Sequence, residues 1–141
     1  MCKYQVSFVG AAHGDRQAKI AKLAQQGIEV TCFGHGWANG SVAAEDIPKI
    51  IRESIISLNF ANAFKGANQV KARTYEVPGA GGFLLTEYAQ DLERAYIPDQ
   101  EVAVFTSIED LGNQIRYFLA HLSERDIIAQ AGFIRTKQDH T

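Results

Sequence analysis

An arginine and a glutamate three residues apart, Arg73 and Glu76, are the residues whose types and spacing best suit binding chemistry. At helical spacing they share one face with Gln69, whereas Thr74 and Val77 share a face that can pack on a sheet. A carboxylate accepts two hydrogen bonds from a vicinal diol, and a guanidinium binds a phosphate through two parallel bonds. A nucleoside diphosphate offers both groups. The alternative is an ion pair on a solvated helix, worth about 0.2–0.5 kcal/mol.

A second candidate site is the glycine-bounded turn Gly10–Gly14, which contains His13 and leads into a helix that Asp15 can cap. Free amide groups and the positive end of the helix dipole attract anions at such a helix start. Arg16 is placed to neutralise a phosphate there, and the alternative is a solvated cation in the first helical turn. The G-x-G-x-x-G and G-x-x-x-x-G-K-[ST] orders are absent, which argues against a nicotinamide enzyme and a nucleotide hydrolase.

Polar residues also follow the second and third apolar runs of the sequence. His35 and Trp37 lie in the glycine-rich segment 34–40, and Asn59 ends the third run. His13 and His35 could approach each other, but two histidines without a third ligand of fixed spacing do not define a metal site, and surface histidines are the alternative. Trp37 could stack on a base or a sugar, or it could plug the edge of a sheet, and both interpretations remain open.

The elements that must position these residues alternate between glycine-bounded apolar runs and amphipathic segments. This pattern predicts an α/β fold, a Rossmann-like doubly wound parallel sheet of about five strands with helices on both faces. In such a sheet, ligands bind at the carboxyl ends of the strands, here the loops after strands one to four. The predicted strands are 4–9, 28–33, 55–60, 83–86 and 102–105, and the predicted helices are 15–26, 45–54, 68–79, 91–96, 107–122 and 123–134. The helical residues expected to face the core are Ile20, Leu23, Ala24, Leu111, Ile115, Phe118, Leu119 and Leu122. The terminal helix is expected to run through Ile127, Ile128, Ala131 and Ile134.

Length and composition favour one globular domain with a substantial core, since 141 residues contain 46% apolar residues. The net charge is −2 and no run of Lys or Arg follows a phosphodiester backbone, so nucleic acid is not expected as a partner. Cys2 and Cys32 have no metal-ligand spacing and suit a reducing compartment, which predicts a cytoplasmic protein. No apolar stretch approaches the roughly 20 residues that span a bilayer.

Several segments together resemble a known family. ISLNF at 56–60, KARTYEVPGAGGFLLTE at 71–87 and EVAVF at 101–105 resemble, in order and spacing, the donor-binding half of CgeB-type glycosyltransferases of the GT-B fold, related to the group-1 families. ERDIIAQAG at 124–132, DHT at 139–141 and GHGWANG at 34–40 are also similar to that family. The resemblance covers nearly the whole chain.

The resemblance implies that residues 1–141 form the C-terminal domain of a glycosyltransferase, which binds a nucleotide diphosphate sugar for transfer to a hydroxyl acceptor. Glu76 stands where the family holds the nucleotide ribose, and Arg73 and Arg16 would neutralise the diphosphate together with amides near Asn68. Many relatives have a glutamate at the position of Asn68, so contact with the sugar there is not implied. The donor-binding residues expected are Glu76, Arg73, Arg16, Asn68, Gly10, His13, His35 and Asn59.

No catalytic group is assigned in this chain. In GT-B enzymes the acceptor site lies on an N-terminal domain, which is expected in the same or another chain, so these residues alone are expected to transfer little sugar. No metal is expected, because a D-x-D element is absent and helix amides with arginines can stabilise a departing diphosphate. The alternative function is a non-catalytic nucleotide-binding module that acts in regulation or assembly.

Overall fold

The fold contains five strands and five α-helices in the part of the chain that the computed structural model describes, residues 3–12, 14–60 and 72–139. The same ranges also contain two short 3-10 helices, Ala44–Asp46 and Gln90–Arg94. The elements in chain order are β1 (Tyr4–Val9), α1 (Arg16–Gln25), β2 (Thr31–Phe33), α2 (Ile47–Arg52), β3 (Ser54–Asn59), α3 (Ala72–Gly79), β4 (Leu84–Glu87), β5 (Ala103–Phe105), α4 (Ile108–Ala120) and α5 (Leu122–Asp139).

The strands form one parallel sheet in the order β2-β1-β3-β4-β5. Alternation along β4 places Leu85 in a core cluster with Leu23 of α1 and Ile115 of α4. Its neighbour Leu84 lies in a second cluster with α2 and with Val77 of α3. Helices therefore cover both faces, which confirms the predicted Rossmann-like doubly wound sheet. The chain runs outward from β1 to β2 and returns to β3, so the switch point lies between β1 and β3.

The terminal helix α5 runs along the amino edge of the sheet. Arg125 donates from Nε to the carbonyl oxygen of Ile55, near the start of β3, at 2.7 Å. Further along α5, Arg135 pairs with Glu101, just before β5, at 3.0 Å. These contacts place α5 opposite the carboxyl edge, where a doubly wound sheet binds ligands.

The length and hydropathy of the helices also bear on membrane insertion. Within the described ranges, every helix is too short or too polar to cross a bilayer.

The second strand is shorter than predicted because the end of α1 uses part of that segment. Gly27, with φ of +84°, donates to the Ala24 carbonyl, and Ile28 donates to the Leu23 carbonyl at 2.9 Å. These two bonds form a Schellman motif. The amide of Ile28 is therefore hydrogen bonded to the end of α1 and does not pair with β1. The predicted helix stop at Gly27 is confirmed. Ala24, which was expected to face the core, is exposed.

The second helix also ends earlier than the predicted 45–54. Ser54 already belongs to β3, where it pairs with Tyr4, and it is fully buried. Its hydroxyl donates to the Ile50 carbonyl at 2.7 Å and shares a hydrogen bond with the Ser7 hydroxyl at 2.6 Å. The side chain thus closes α2 while the backbone starts the strand. A short serine in an apolar run allows both, which periodicity alone does not reveal.

The fourth helix starts as the sequence predicts. The Ser107 hydroxyl accepts a hydrogen bond from the amide of Asp110 at 3.0 Å, which is an N-cap. The Asp110 carboxylate accepts from the amide of Thr106 at 3.1 Å, one residue before the cap. This pair of bonds satisfies two amides at the start of α4 and resembles a capping box.

The buried face of α5 differs from the prediction. Leu122 was expected to face the core, but it is 48% exposed, and Ile127 and Ile134 of the same helix are 68% and 46% exposed. The helix instead buries Ala129 and Thr136, each 5% exposed. Periodicity selects the largest apolar side chains, whereas a helix that crosses the end of a sheet packs closely through small ones.

Candidate functional site

The candidate site lies at the carboxyl edge of the sheet, around the switch point between β1 and β3. Gly10 follows β1, Asn59 and Phe60 end and follow β3, and Thr86 and Glu87 end β4. A doubly wound sheet binds its ligands at this position, because two neighbouring loops diverge there and leave a crevice. The side chains that reach this edge are therefore the candidate ligand contacts.

One wall of the edge is formed by the loops after β1 and β2, which stay hydrogen bonded beyond the strands. The amide of Gly10 donates to the Phe33 carbonyl at 2.9 Å, and the amide of Ala12 donates to the His35 carbonyl at 2.8 Å. Trp37 donates from its indole N–H to the Gly10 carbonyl at 2.7 Å. Gly10 and His35, two predicted site residues, are thus brought together, with the His35 side chain exposed.

The contacts of Trp37 favour one of its two interpretations. Its ring packs edge-on against Phe8, with centroids 6.1 Å apart, and its indole N–H, the only donor of the side chain, donates to the Gly10 carbonyl. The side chain therefore plugs the sheet edge, as a packing residue does.

Glycine at position 34 is required by the close approach of the two loops. Gly34 has φ of +137°, and a Cβ atom there would collide with the Gly10 carbonyl oxygen. We expect Gly34→Ala to reduce the free energy of unfolding by about 1–3 kcal/mol, because backbone strain adds to the collision. Gly40→Ala is the matched control, since Gly40 has φ of +73° but no atom within 4 Å of such a Cβ. Urea unfolding of both variants measures the difference, and equal losses would show that the collision is relieved.

Arg16 is a buried cation, and this excludes the alternative of a solvated residue. Only 8% of it is exposed, and Nη1 donates to the Ala11 carbonyl at 2.9 Å. Its guanidinium carbon lies 5.4 Å from the centre of the Phe8 ring. Desolvation lowers the pKa of Arg16, while Asp15 and Glu87 oppose that shift. The side chain fixes the turn after β1 and adds positive charge to the edge.

Asn59 links the ends of two strands. Its Nδ2 atom donates to Thr86 Oγ1 at 3.0 Å, and the two residues are 6% and 1% exposed. This buried bond holds the ends of β3 and β4 in register. It thereby positions Glu87, which follows Thr86 at the rim of the crevice.

Lys19 and Glu87 were missed by the sequence reasoning. Lys19 Nζ lies 3.6 Å from Glu87 Oε1 and 3.4 Å from Asp15 Oδ2. It also lies 5.4 Å from the centre of the Phe60 ring, so it extends from α1 toward the ends of β3 and β4. The available signals were a lysine one turn beyond Arg16 and an acidic residue at the end of a predicted strand.

Glu76 lies on α3, in the helix layer opposite to α1, and is half-buried. Thr74 and Val77 are 4% and 2% exposed, which confirms that their face packs inward. Arg73 belongs to α3, but its side chain lies outside the described part, as do Asn68 and His13. The structure therefore brings Gly10, Arg16, His35 and Asn59 to one edge and puts Glu76 on a half-exposed helix face, while the roles of all eight residues stay predictions.

Cys32 behaves as a packing residue, as expected. It is 7% exposed in the core, and burial raises the pKa of its thiol to about 11. At neutral pH the group is therefore a thiol and not a nucleophilic thiolate. Cys2 lies outside the described residues.

The arrangement of His, Cys, Asp and Glu side chains bears on metal binding. Among residues 3–12, 14–60 and 72–139, no group of three or more His, Cys, Asp or Glu is arranged to hold a metal ion.

The sequence identifies the class of protein to which this fold and this edge belong. Residues 16–141 match the family described as glycosyl transferase-like, so the chain belongs to that family. Among curated protein sequences, none matches the chain.

Solved structures with the same fold include the C-terminal domain of a group 1 glycosyl transferase family protein, LpcC, from Francisella tularensis. It has a TM-score of 0.68 and 12% identity over 99% of this chain and 87% of that one. Anabaena Alr3699/HepE in complex with UDP has a TM-score of 0.65 and 17% identity over 97% of this chain and 37% of that one. Sucrose-phosphate synthase from Thermosynechococcus elongatus has a TM-score of 0.65 and 16% identity over 95% of this chain and 34% of that one. At these identities the likeness shows the fold, and the chain spans about a third of the two longer proteins.

Proposed function

We propose that this chain is the donor-binding domain of a GT-B glycosyltransferase and binds a nucleotide diphosphate sugar. The observation that carries the proposal is the family match over residues 16–141. The carboxyl edge supports it, because Arg16 and Lys19 put two cations beside the switch point, where a diphosphate can be neutralised. The CgeB-type subgroup remains part of this proposal.

UDP is the first nucleotide to test. Anabaena HepE was solved in complex with UDP and with UDP-glucose, and its fold matches this chain. That likeness supports a donor of the same chemical class here. The base and the sugar are then open to direct measurement.

In the proposed reaction, the bond between the anomeric carbon and the diphosphate oxygen breaks, and a bond to the acceptor oxygen forms. The acceptor proton passes to a base that we do not assign in this chain. The leaving group gains negative charge, so cations near it lower the barrier. Glu76 is proposed to hold the ribose diol, with Arg73 and amides near Asn68 beside the phosphates.

Calorimetric titration with UDP, GDP and UDP-glucose tests donor binding directly. We expect saturable binding of at least one of them, and the absence of binding to all three would contradict the proposal. Release of glucose from UDP-glucose, or transfer once an acceptor domain is added, would identify an enzyme. Binding with neither reaction would identify the alternative, a non-catalytic module.

Binding is proposed to be independent of divalent metal. Helix amides and cationic side chains would then supply the charge that a metal supplies in other nucleotide sites. We expect the Kd for UDP to agree within about twofold in 5 mM EDTA and in 5 mM MgCl2, since twofold corresponds to about 0.4 kcal/mol. A Kd that rises tenfold or more in EDTA would show that a metal takes part.

A further inference from the structure

Lys19 and Arg16 use their positive charges differently at the carboxyl edge. Arg16 is 8% exposed and directs a guanidinium N–H to the Ala11 carbonyl, so part of its donor capacity is committed to the backbone. The Lys19 ammonium instead reaches across the Phe60 ring to the last residue of β4. Lys19 therefore contacts both the residue after β3 and the last residue of β4.

The partners of Lys19 are two carboxylates, and neither holds it tightly. The nitrogen–oxygen distances are 3.4 Å to Asp15 and 3.6 Å to Glu87. The side chain of Asp15 is 71% exposed and that of Glu87 is 30% exposed, whereas that of Lys19 is 19% exposed. Ion pairs of this length and exposure contribute about 0–1 kcal/mol. A diphosphate carries more charge than a carboxylate and can displace such a partner.

We propose that Lys19 contacts the diphosphate of the donor and that Glu87 competes with the diphosphate for the Lys19 ammonium. Glu87 is thus a positioning residue that holds Lys19 over the crevice and limits donor affinity. This inference rests on the proposed function, because it names the cation and the competing anion of the same site.

Two effects of Glu87 act in the same direction. Its carboxylate neutralises Lys19, and it also repels an incoming diphosphate at the rim of the crevice. Removing its charge while keeping its size should therefore strengthen binding. The gain should require Lys19, since most of it comes from releasing that ammonium.

Calorimetric titration of the full chain with UDP and with inorganic pyrophosphate tests the inference. We expect Glu87→Gln to tighten binding of both ligands about fivefold, and Lys19→Met to weaken it about tenfold. In the double variant Lys19→Met/Glu87→Gln, only the part of the gain that comes from direct repulsion should remain, about twofold or less. Glu87→Asp keeps the charge and should stay near wild type.

A matched control separates this role from the general charge of α1. Lys22 lies on the same helix and is exposed, so Lys22→Met should change either Kd by less than twofold. Thermal melts of every variant establish that the fold is kept. A merely structural role for Glu87 would lower stability without tightening pyrophosphate binding.

The inference fails if Glu87→Gln leaves affinity unchanged or weakens it, or if the full gain persists in the double variant. Wild-type binding of UDP with silent Lys19 and Glu87 variants would leave the proposed function standing and overturn the inference alone. Pyrophosphate binding with the expected variant effects, but no binding of UDP, GDP or UDP-glucose, would support the inference and overturn the proposed function. If the wild type binds none of these ligands, both are overturned.

Discussion

Replacing Glu76 by alanine is expected to weaken UDP binding by about 30-fold, the largest functional effect that we predict. In the proposed site this carboxylate accepts hydrogen bonds from both ribose hydroxyl groups, and such bonds to a charged acceptor contribute about 2 kcal/mol or more. Calorimetric titration of the variant with UDP measures the change in Kd. Glu76→Gln keeps the size and one acceptor oxygen, so its loss should be intermediate.

Two comparisons make the Glu76 result specific. Glu29→Ala removes an exposed glutamate from the connection between α1 and β2, and it should leave the Kd for UDP unchanged. Glu76 is half-buried on α3, so urea unfolding must show that Glu76→Ala remains folded under the titration conditions. An unchanged Kd in a folded Glu76→Ala variant would remove the ribose-binding role from this residue and weaken the proposed function.

The largest expected effect on stability is that of Ile115→Ala, which should reduce the free energy of unfolding by about 2–5 kcal/mol. Ile115 is fully buried between α4 and the sheet, in the cluster that also contains Leu85. Truncation removes apolar contacts and leaves a cavity in a layer that already packs closely. Urea unfolding followed by circular dichroism measures the loss as a lower midpoint.

Ile127→Ala is the matched substitution, since both isoleucines lie in the C-terminal helices. Ile127 is 68% exposed, so its truncation should change the free energy of unfolding by less than about 0.5 kcal/mol. Similar losses for the two variants would mean that α5 packs through a different face from the one described.

Much of the fold could be predicted because its signals are local. Gly27 ends α1 since only a residue without a Cβ atom takes φ of +84° at little cost, and Ser107 caps α4 through its own hydroxyl. Local signals misled where one segment serves two elements, as at Ser54, or at the start of a helix that packs across an edge, as at Leu122.

The candidate site was predictable in location but not in its pairings. Arg16 was recognised from its place after a glycine turn, yet its hydrogen bond to the Ala11 carbonyl depends on how that turn folds back. Glu87 was not predicted as a site residue, because an acidic residue at the end of a strand does not by itself indicate a binding role. Its distance to Lys19 in the folded chain gives it a role.

By itself, the sequence determined the class of fold, the carboxyl edge as the candidate site and the resemblance to glycosyltransferases. Hydrophobic periodicity, helix-ending glycines and ordered motifs are local features that can be identified without the tertiary structure. The tertiary structure decided which charges meet at that edge, which face of α5 is buried and that Trp37 plugs the sheet. These outcomes depend on the strand order β2-β1-β3-β4-β5, which brings together residues that are far apart in the chain and that no local pattern connects.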